Sequence, residues 1–109
     1  MLWPLRPSSQ RRMTTDQIAE RITRRRRQLL IHSIIYYRMN DNLITDAQWT
    51  LWAIELENLQ TDYPDIAEKC PYAKEFVGFD HSTGYNLPLG DIWANKKARQ
   101  LLAWRDRHI

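Results

Sequence analysis

The stretch from residue 34 to residue 63 constrains the fold more than any other part of the chain, and it reads IIYYRMNDNLITDAQWTLWAIELENLQTDY. Thr45 and Gln48 have capping-box spacing, in which the Thr hydroxyl accepts from one free backbone amide and the Gln side chain accepts from the Thr amide. Apolar residues then recur at three- and four-residue steps, as on one face of a helix. They are Trp49, Trp52, Leu56, Leu59 and Tyr63. Pro64 ends this helix.

A long helix precedes this stretch. Thr14 and Gln17 repeat the capping-box spacing, which predicts a helix from about Thr15 to Met39. Its second half is apolar nearly all round, which predicts burial at Leu29, Leu30, Ile31, Ile34 and Ile35. A turn-forming loop of roughly five residues follows, so the two helices are expected to pack antiparallel.

The remainder of the chain is more irregular. Residues 64–69 suit one short turn of helix, residues 76–79 look extended, and residues 80–90 are rich in turn formers. Asp91 is a good cap for a last helix, in which Ala94, Ala98, Leu101 and Arg105 share a face. The predicted fold is mostly α, an antiparallel helical hairpin plus a C-terminal helix, with an irregular loop-rich segment between them.

A chain of 109 residues has room for one domain. Residues 1–13 combine Pro, Ser and Arg without periodicity and are predicted to form a flexible arm, ahead of a single helical domain over residues 14–109. Translation starting at Met1 and translation starting at Met13 are both compatible with this pattern.

Charge is distributed unevenly along the chain. Residues 1–38 carry a net +7, residues 39–80 a net −7 and residues 81–109 a net +3. Either an anionic partner binds the basic end, or the basic first helix pairs with the acidic second helix. A single cysteine, Cys70, excludes an intramolecular disulfide, and no apolar run is long enough to span a membrane. The composition therefore predicts a soluble, cytoplasmic protein without a metal centre or a membrane partner.

Enzymatic motifs are missing from the sequence. It contains no glycine-rich phosphate loop, no pair of histidines at helical spacing and no nucleophile elbow, so no catalytic residue is predicted. His32 is expected to be a hydrogen-bonded core histidine. His81, with Asp80, Ser82 and Thr83, forms either an ordinary turn or a loop that holds a phosphate or a metal.

The first helix carries a run of cations. Arginines contact phosphates, and nearby aromatic rings can stack on bases, so one hypothesis is a small basic nucleic-acid-binding protein. Its binding residues would be Arg21, Arg24, Arg25, Arg26 and Arg27. Four consecutive residues spread around a helix, however, and we expect at least one of these arginines to reach the acidic second helix instead.

The hairpin carries a characteristic pattern of residues. It consists of the pair Tyr36-Tyr37, Asp46 nine positions after Tyr37, the run Ala47-Gln48-Trp49, and a helix that ends at Tyr63-Pro64. Over about residues 20–66 this resembles the small N-terminal helical domain of NAD-dependent DNA ligases. The family pattern is a Tyr-Tyr or Tyr-His pair, a loop, Asp-Ala-Glu-Tyr-Asp and a helix closing on His-Pro. The resemblance implies recognition of the nicotinamide mononucleotide half of NAD.

By position, Tyr36, Tyr37 and Asp46 match family contacts. Trp49 replaces a Tyr of the family pattern and keeps an aromatic wall, whereas Thr50 replaces an Asp and removes a carboxylate. The cofactor-binding candidates implied by the resemblance are therefore Tyr36, Tyr37, Asp46, Trp49 and Thr50. The chain has no Lys-x-Asp-Gly motif, so it is not a complete ligase. The segment from Thr83 to Pro88 is similar to small ligase-related proteins of phages.

Three functional hypotheses follow. The first is a non-catalytic module that binds NAD or nicotinamide mononucleotide at the loop end of the hairpin. The second is the nucleic-acid-binding protein described above, with weak binding to DNA. The third is an interaction subunit of a DNA-processing or phage complex, which would dock a protein partner through an exposed apolar patch around the last helix.

Overall fold

The computed structural model describes residues 13–108. Within that range the chain forms α-helices α1 (Thr15–Tyr37), α2 (Asp46–Asp62), α3 (Pro64–Lys69) and α4 (Ile92–Arg107), and no β-strand. The prediction of a mostly α fold with a C-terminal helix is confirmed. The predicted arm, residues 1–13, and Ile109 lie outside the described residues, except that Met13 is half-buried and packs on the core.

Helix α1 begins at the predicted capping box, since the Thr14 hydroxyl accepts from the Gln17 amide and the Gln17 side chain accepts from the Thr14 amide. It ends at Tyr37, two residues before the predicted end, because Asn40 adopts a left-handed backbone conformation with φ 52°. The loop to α2 therefore has eight residues, 38–45, and not about five.

The start of α2 is as predicted, but its cap is simpler. The Thr45 hydroxyl accepts from the Gln48 amide at 3.0 Å, and within residues 13–108 no return bond from the Gln48 side chain accompanies it. Helix α2 ends at Asp62 because Tyr63 precedes Pro64, and the proline ring pushes the preceding residue out of the helical region. The proline then occupies the first turn of α3, where its missing N–H costs nothing.

The hairpin is antiparallel, as predicted. Early in α1, Arg21 pairs with Glu55 late in α2, while late in α1, Ser33 accepts a hydrogen bond from Trp49 early in α2. Apolar side chains between these contacts form the core, which includes the predicted Ile34, Ile35 and Leu56, all fully buried, with Trp52 packed against them. The core also contains Ile18, Ile22, Leu29, Leu30, Ile31, Ala53 and Phe76.

Helix α1 lies between the other two long helices. It packs against both α2 and α4, and within the described chain no Cα atom of α2 lies within 8 Å of a Cα atom of α4. The Asp91 side chain caps α4 by accepting from the Ala94 amide at 2.9 Å. Ala94 and Ala98 are fully buried, which brings α4 close to α1, and Arg105 pairs with Asp41 of the hairpin loop at 2.9 Å.

Residues 76–79 are not extended, so that prediction is wrong. Residues 71–78 form successive turns, in which the Phe76 amide donates to the Tyr72 carbonyl at 3.1 Å and the Phe79 amide donates to the Phe76 carbonyl at 3.2 Å. The turns bury the Phe76 ring in the core, and Gly78 supplies a left-handed conformation with φ 70°. None of the helices found in residues 13–108 combines the length and apolar character needed to cross a membrane.

Candidate functional site

An open cleft of about 300 Å³ lies at the loop end of the hairpin. Three parts of the chain form its walls: the last turns of α1, the loop before α2 with the first turn of α2, and residues 82–84. All five predicted cofactor-binding residues line it, namely Tyr36, Tyr37, Asp46, Trp49 and Thr50. The fold therefore brings the five residues together around one space that a small molecule could enter.

The two tyrosines stand at the rim of the cleft. Both lie in the last turn of α1 and are exposed, Tyr36 by 54% and Tyr37 by 40% of their surface. Their rings meet edge to face, with centroids 4.9 Å apart, which is a favourable aromatic arrangement. They hold each other in position while leaving aromatic surface open to a ligand.

The first turn of α2 supplies the opposite wall. Asp46 and Thr50 are four residues apart and so lie on the same side of the helix. Trp49 is half-buried, and its indole Nε1 donates to the Ser33 hydroxyl at 3.2 Å. On the core side, the Trp49 ring meets the Phe79 ring edge to face at 6.2 Å. Trp49 is thus both a core residue and a wall of the cleft, with a fixed orientation.

A third wall comes from a segment that the sequence did not assign to the site. The Thr83 and Tyr37 hydroxyls are hydrogen bonded at 2.9 Å, and the Tyr85 ring packs edge to face on the Tyr37 ring at 5.3 Å. Gly84 is buried between Ser33 and Trp49, where a Cβ atom would collide with the Ser33 hydroxyl. The sequence marks this segment by its turn-forming residues and by its similarity to ligase-related phage proteins, and neither feature predicts where the loop docks.

Two other polar residues of this loop, Asp80 and His81, are not part of the cleft lining. The His81 ring and the Glu57 carboxylate are hydrogen bonded at 2.9 Å, which attaches the loop to α2. Asp80 accepts from the hydroxyl and the amide of Ser82, and these hydrogen bonds lower the pKa of Asp80. Both side chains are therefore engaged within the protein, which favours the ordinary-turn interpretation over a phosphate or metal loop.

His32 lies at the inner end of the cleft, next to the Trp52 ring at 5.8 Å. The prediction of a hydrogen-bonded core histidine is wrong, since its buried Nδ1 atom has no partner among the described residues. Burial lowers the pKa of His32, because the charged imidazolium loses hydration. His32 is therefore neutral near pH 7 and adds no positive charge to the cleft.

The charge of the cleft lining is negative. Its described lining includes the carboxylate of Asp46 and contains neither Arg nor Lys. Aromatic faces add negative potential above and below their rings. The site therefore favours a flat ligand that is cationic or uncharged, and it offers no positive side chain to a phosphate group. Across residues 13–108, no three His, Cys, Asp or Glu side chains lie close enough together to hold a metal ion.

The five arginines proposed for nucleic-acid binding do not form one surface. Arg21 and Arg25 both pair with Glu55 at 2.6 Å, so the expectation that an arginine reaches the second helix is confirmed. Partial burial raises the pKa of Glu55, but hydrogen bonds from these two arginines outweigh it and the net shift is downward. Arg24 pairs with Glu20 on the surface of α1.

The remaining two arginines have different surroundings. Arg26 is only 2% exposed, and its guanidinium donates to the Gln60 side chain and to the carbonyls of Cys70 and Pro71. The Arg27 guanidinium lies 5.2 Å from the centre of the Trp93 ring. Most of these five arginines therefore form contacts within the protein.

The chain was compared with protein-family models, with curated proteins and with solved structures, and none of the three comparisons found a match. The resemblance to the ligase domain thus rests on the residues of the hairpin. The function of the cleft has to be inferred from its own chemistry.

Proposed function

We propose that this protein is a binding module whose cleft holds the nicotinamide nucleoside portion of nicotinamide mononucleotide or NAD. The observation that carries the proposal is the meeting of Tyr36, Tyr37, Asp46, Trp49 and Thr50 around one open cleft. The end of α1 and the start of α2 meet at the loop end of the hairpin, so their aromatic, acidic and hydroxyl side chains border one space that a ligand can occupy.

The chemistry of the cleft suits an oxidised nicotinamide ring. That ring is flat and carries a positive charge, so an aromatic wall such as Trp49 attracts it by stacking and by cation–π interaction, worth about 0.5–2 kcal/mol. Asp46 adds a favourable charge and can accept hydrogen bonds from ribose hydroxyls. Thr50 offers a hydroxyl on the same wall.

The size and charge of the cleft indicate how much of the ligand enters. A volume of about 300 Å³ is at the lower end of small-molecule sites, enough for a ring and a ribose but not for a dinucleotide. With no Arg or Lys in the described lining, the phosphate should extend into solvent. We expect millimolar affinity, about 4 kcal/mol of binding free energy.

The hypothesis of nucleic-acid binding through the arginines of α1 has less support. Arg21, Arg25 and Arg26 all have partners within the fold, so a phosphate would have to displace existing hydrogen bonds. Such displacement reduces the gain from a phosphate contact, most strongly at Arg26, which is buried.

Calorimetric titration tests the proposal with three ligands: nicotinamide riboside, nicotinamide mononucleotide and adenosine monophosphate. The riboside and the mononucleotide should bind with similar affinity, because the phosphate finds no partner, and the adenine nucleotide should bind much more weakly. Asp46→Asn should weaken binding of the riboside about tenfold, or 1.4 kcal/mol. Asp62→Asn is the matched control, since Asp62 ends the same helix far from the cleft.

Two results would contradict the proposal. One is adenosine monophosphate binding as well as the riboside, which would show a general affinity for flat rings. The other is an equal loss of affinity in Asp46→Asn and Asp62→Asn, which would mean that net charge, and not the cleft carboxylate, attracts the ligand.

A further inference from the structure

Helix α4 presents an exposed face that the fold does not use. Its opposite side is buried through Ala94, Asn95 and Ala98. Trp93 and Trp104 are exposed by 38% and 56%. They are eleven positions apart, so at about 100° per residue their directions differ by only about 20°, and they lie about 16 Å apart along one face.

The same face is basic. Three exposed cations point within about 70° of the line that joins the two tryptophans, namely Lys96, Lys97 and Arg107. None of them forms an ion pair with a described residue. The one acid within α4, Asp106, lies on the other side of the helix and contacts Arg105.

The surroundings of α4 reinforce its charge. The acidic helix α2 packs against α1, and in the described structure its Cα atoms all lie more than 8 Å from those of α4. Arg27 of α1 lies over the Trp93 ring at 5.2 Å, and Lys97 lies over the same ring at 5.9 Å. A cation from α1 therefore extends the basic face of α4.

We infer that this face binds single-stranded nucleic acid. Lysine and arginine side chains would contact the phosphates. Unpaired bases would stack on the Trp104 ring and on the part of the Trp93 ring that Arg27 and Lys97 leave exposed, which is how proteins hold single strands without sequence preference. The Trp104 ring already stacks on His108 with centroids 4.1 Å apart, which fixes its orientation while more than half of its surface stays exposed.

The spacing of the two rings fits this ligand. A stacked strand advances about 3.4 Å per nucleotide, so the span from Trp93 to Trp104 corresponds to roughly five nucleotides. Between the rings lie Lys97 and Gln100. A helix that inserts into a lipid surface would need a continuous apolar face at these positions, so the mixed face favours nucleic acid over an anionic membrane.

Fluorescence anisotropy with a labelled twelve-nucleotide oligothymidylate tests the inference. We expect binding at low salt, and Trp104→Ala should weaken it about tenfold or more through lost stacking. Leu51→Ala is the matched control, because Leu51 is an exposed apolar residue on α2, away from this face. Trp104 is itself exposed, so its replacement should leave the fold intact, which circular dichroism can verify.

The salt dependence provides a second, independent readout. The slope of log affinity against log salt should decrease in magnitude by about 1.4 in the double variant Lys96→Gln with Lys97→Gln, since each phosphate contact on a single strand contributes about 0.7. The control is the double variant Lys69→Gln with Lys74→Gln, which removes the same charge from exposed positions outside α4.

The inference is overturned by any of three results. The oligothymidylate fails to bind at low salt, or a duplex of the same length binds as tightly as the single strand, or both test variants behave like their controls. Binding to phosphatidylserine vesicles in the absence of oligothymidylate binding would assign the face to a membrane surface instead.

Discussion

Gly84 shows how a single residue determines the shape of the cleft. It is buried where the loop of residues 80–85 meets the hairpin, with the Ser33 side chain on one side and the Trp49 ring, 3.0 Å from the position of a Cβ atom, on the other. Any side chain here must displace Ser33 or Trp49, which are hydrogen bonded to each other. Glycine is therefore required at this position because there is no room for a Cβ atom.

We predict that Gly84→Ala destabilises the protein by about 1–3 kcal/mol, the usual range for forcing extra volume into a packed site. Gly90→Ala is the matched control, because no atom lies within 4 Å of the Cβ position there. Urea unfolding of both variants measures the difference. Equal midpoints for the two would mean that the loop does not dock on the hairpin as described.

His32 gives the protein a pH response of a predictable sign. Burial lowers its pKa in the folded protein below the value of about 6.5 for an unfolded chain. As the pH falls through 6.5, the unfolded state takes up the proton first, and the free energy of unfolding decreases. The acids whose pKa values are lowered, Asp41, Glu55 and Asp80, titrate below this window.

We therefore expect stability to fall between about pH 7 and pH 5.5, by at most about 1.4 kcal/mol per pH unit for one proton. In His32→Phe, which keeps a flat ring but cannot titrate, the decline over this window should be shallower. Urea midpoints at several pH values provide the measurement. An identical pH dependence in wild type and variant would show that His32 is not buried as a neutral base.

At the scale of elements, the cationic run of α1 joins helices together. Arg26 connects α1 to Gln60 of α2 and to the carbonyls of residues 70 and 71, and Gln60 in turn donates to the Phe76 carbonyl. This network holds the turns of residues 71–78 against the hairpin. Arg24, two residues earlier, pairs only along its own helix with Glu20 among the described contacts.

Arg26→Gln should lower the free energy of unfolding by about 2–4 kcal/mol, because the buried hydrogen bond to the Cys70 carbonyl and the partly buried one to the Pro71 carbonyl are lost. Arg24→Gln removes the same charge from an exposed position and should cost no more than about 0.5 kcal/mol. Chemical denaturation distinguishes the two. A similar loss in both variants would mean that net charge, and not the buried network, sets the stability.

The helices were predictable because their signals are local. Thr14, Thr45 and Asp91 each cap a helix where the sequence placed a cap, and Pro64 ends α2. The path of residues 76–85 was not predictable, since Phe76 is held by burial in a core built from distant helices. The Tyr37–Thr83 contact joins residues 46 positions apart, and no local pattern encodes such a pairing. The sequence thus identified two walls of the cleft and missed the third.

At the scale of the whole molecule, the uneven charge of the sequence is partly neutralised and partly left exposed. The acidic helix α2 pairs through Glu55 with Arg21 and Arg25 of α1, which supports the interpretation of internal pairing. The last helix has no such acidic partner in the described chain, apart from the contact of Arg105 with Asp41. The cleft with Asp46 and the basic face of α4 are therefore separate surfaces of opposite charge.

The central claim, that the cleft at the loop end of the hairpin binds a nicotinamide nucleoside, is tested most directly by nuclear magnetic resonance of the tryptophan indole groups. Nicotinamide riboside should shift the Trp49 indole N–H signal along a saturable curve in the millimolar range, because that group lies in the cleft wall and donates to Ser33. The indole signals of Trp93 and Trp104 on α4 serve as internal controls and should not move. A Trp49 signal that stays unchanged at several millimolar riboside, or that moves only together with those of Trp93 and Trp104, would contradict the claim.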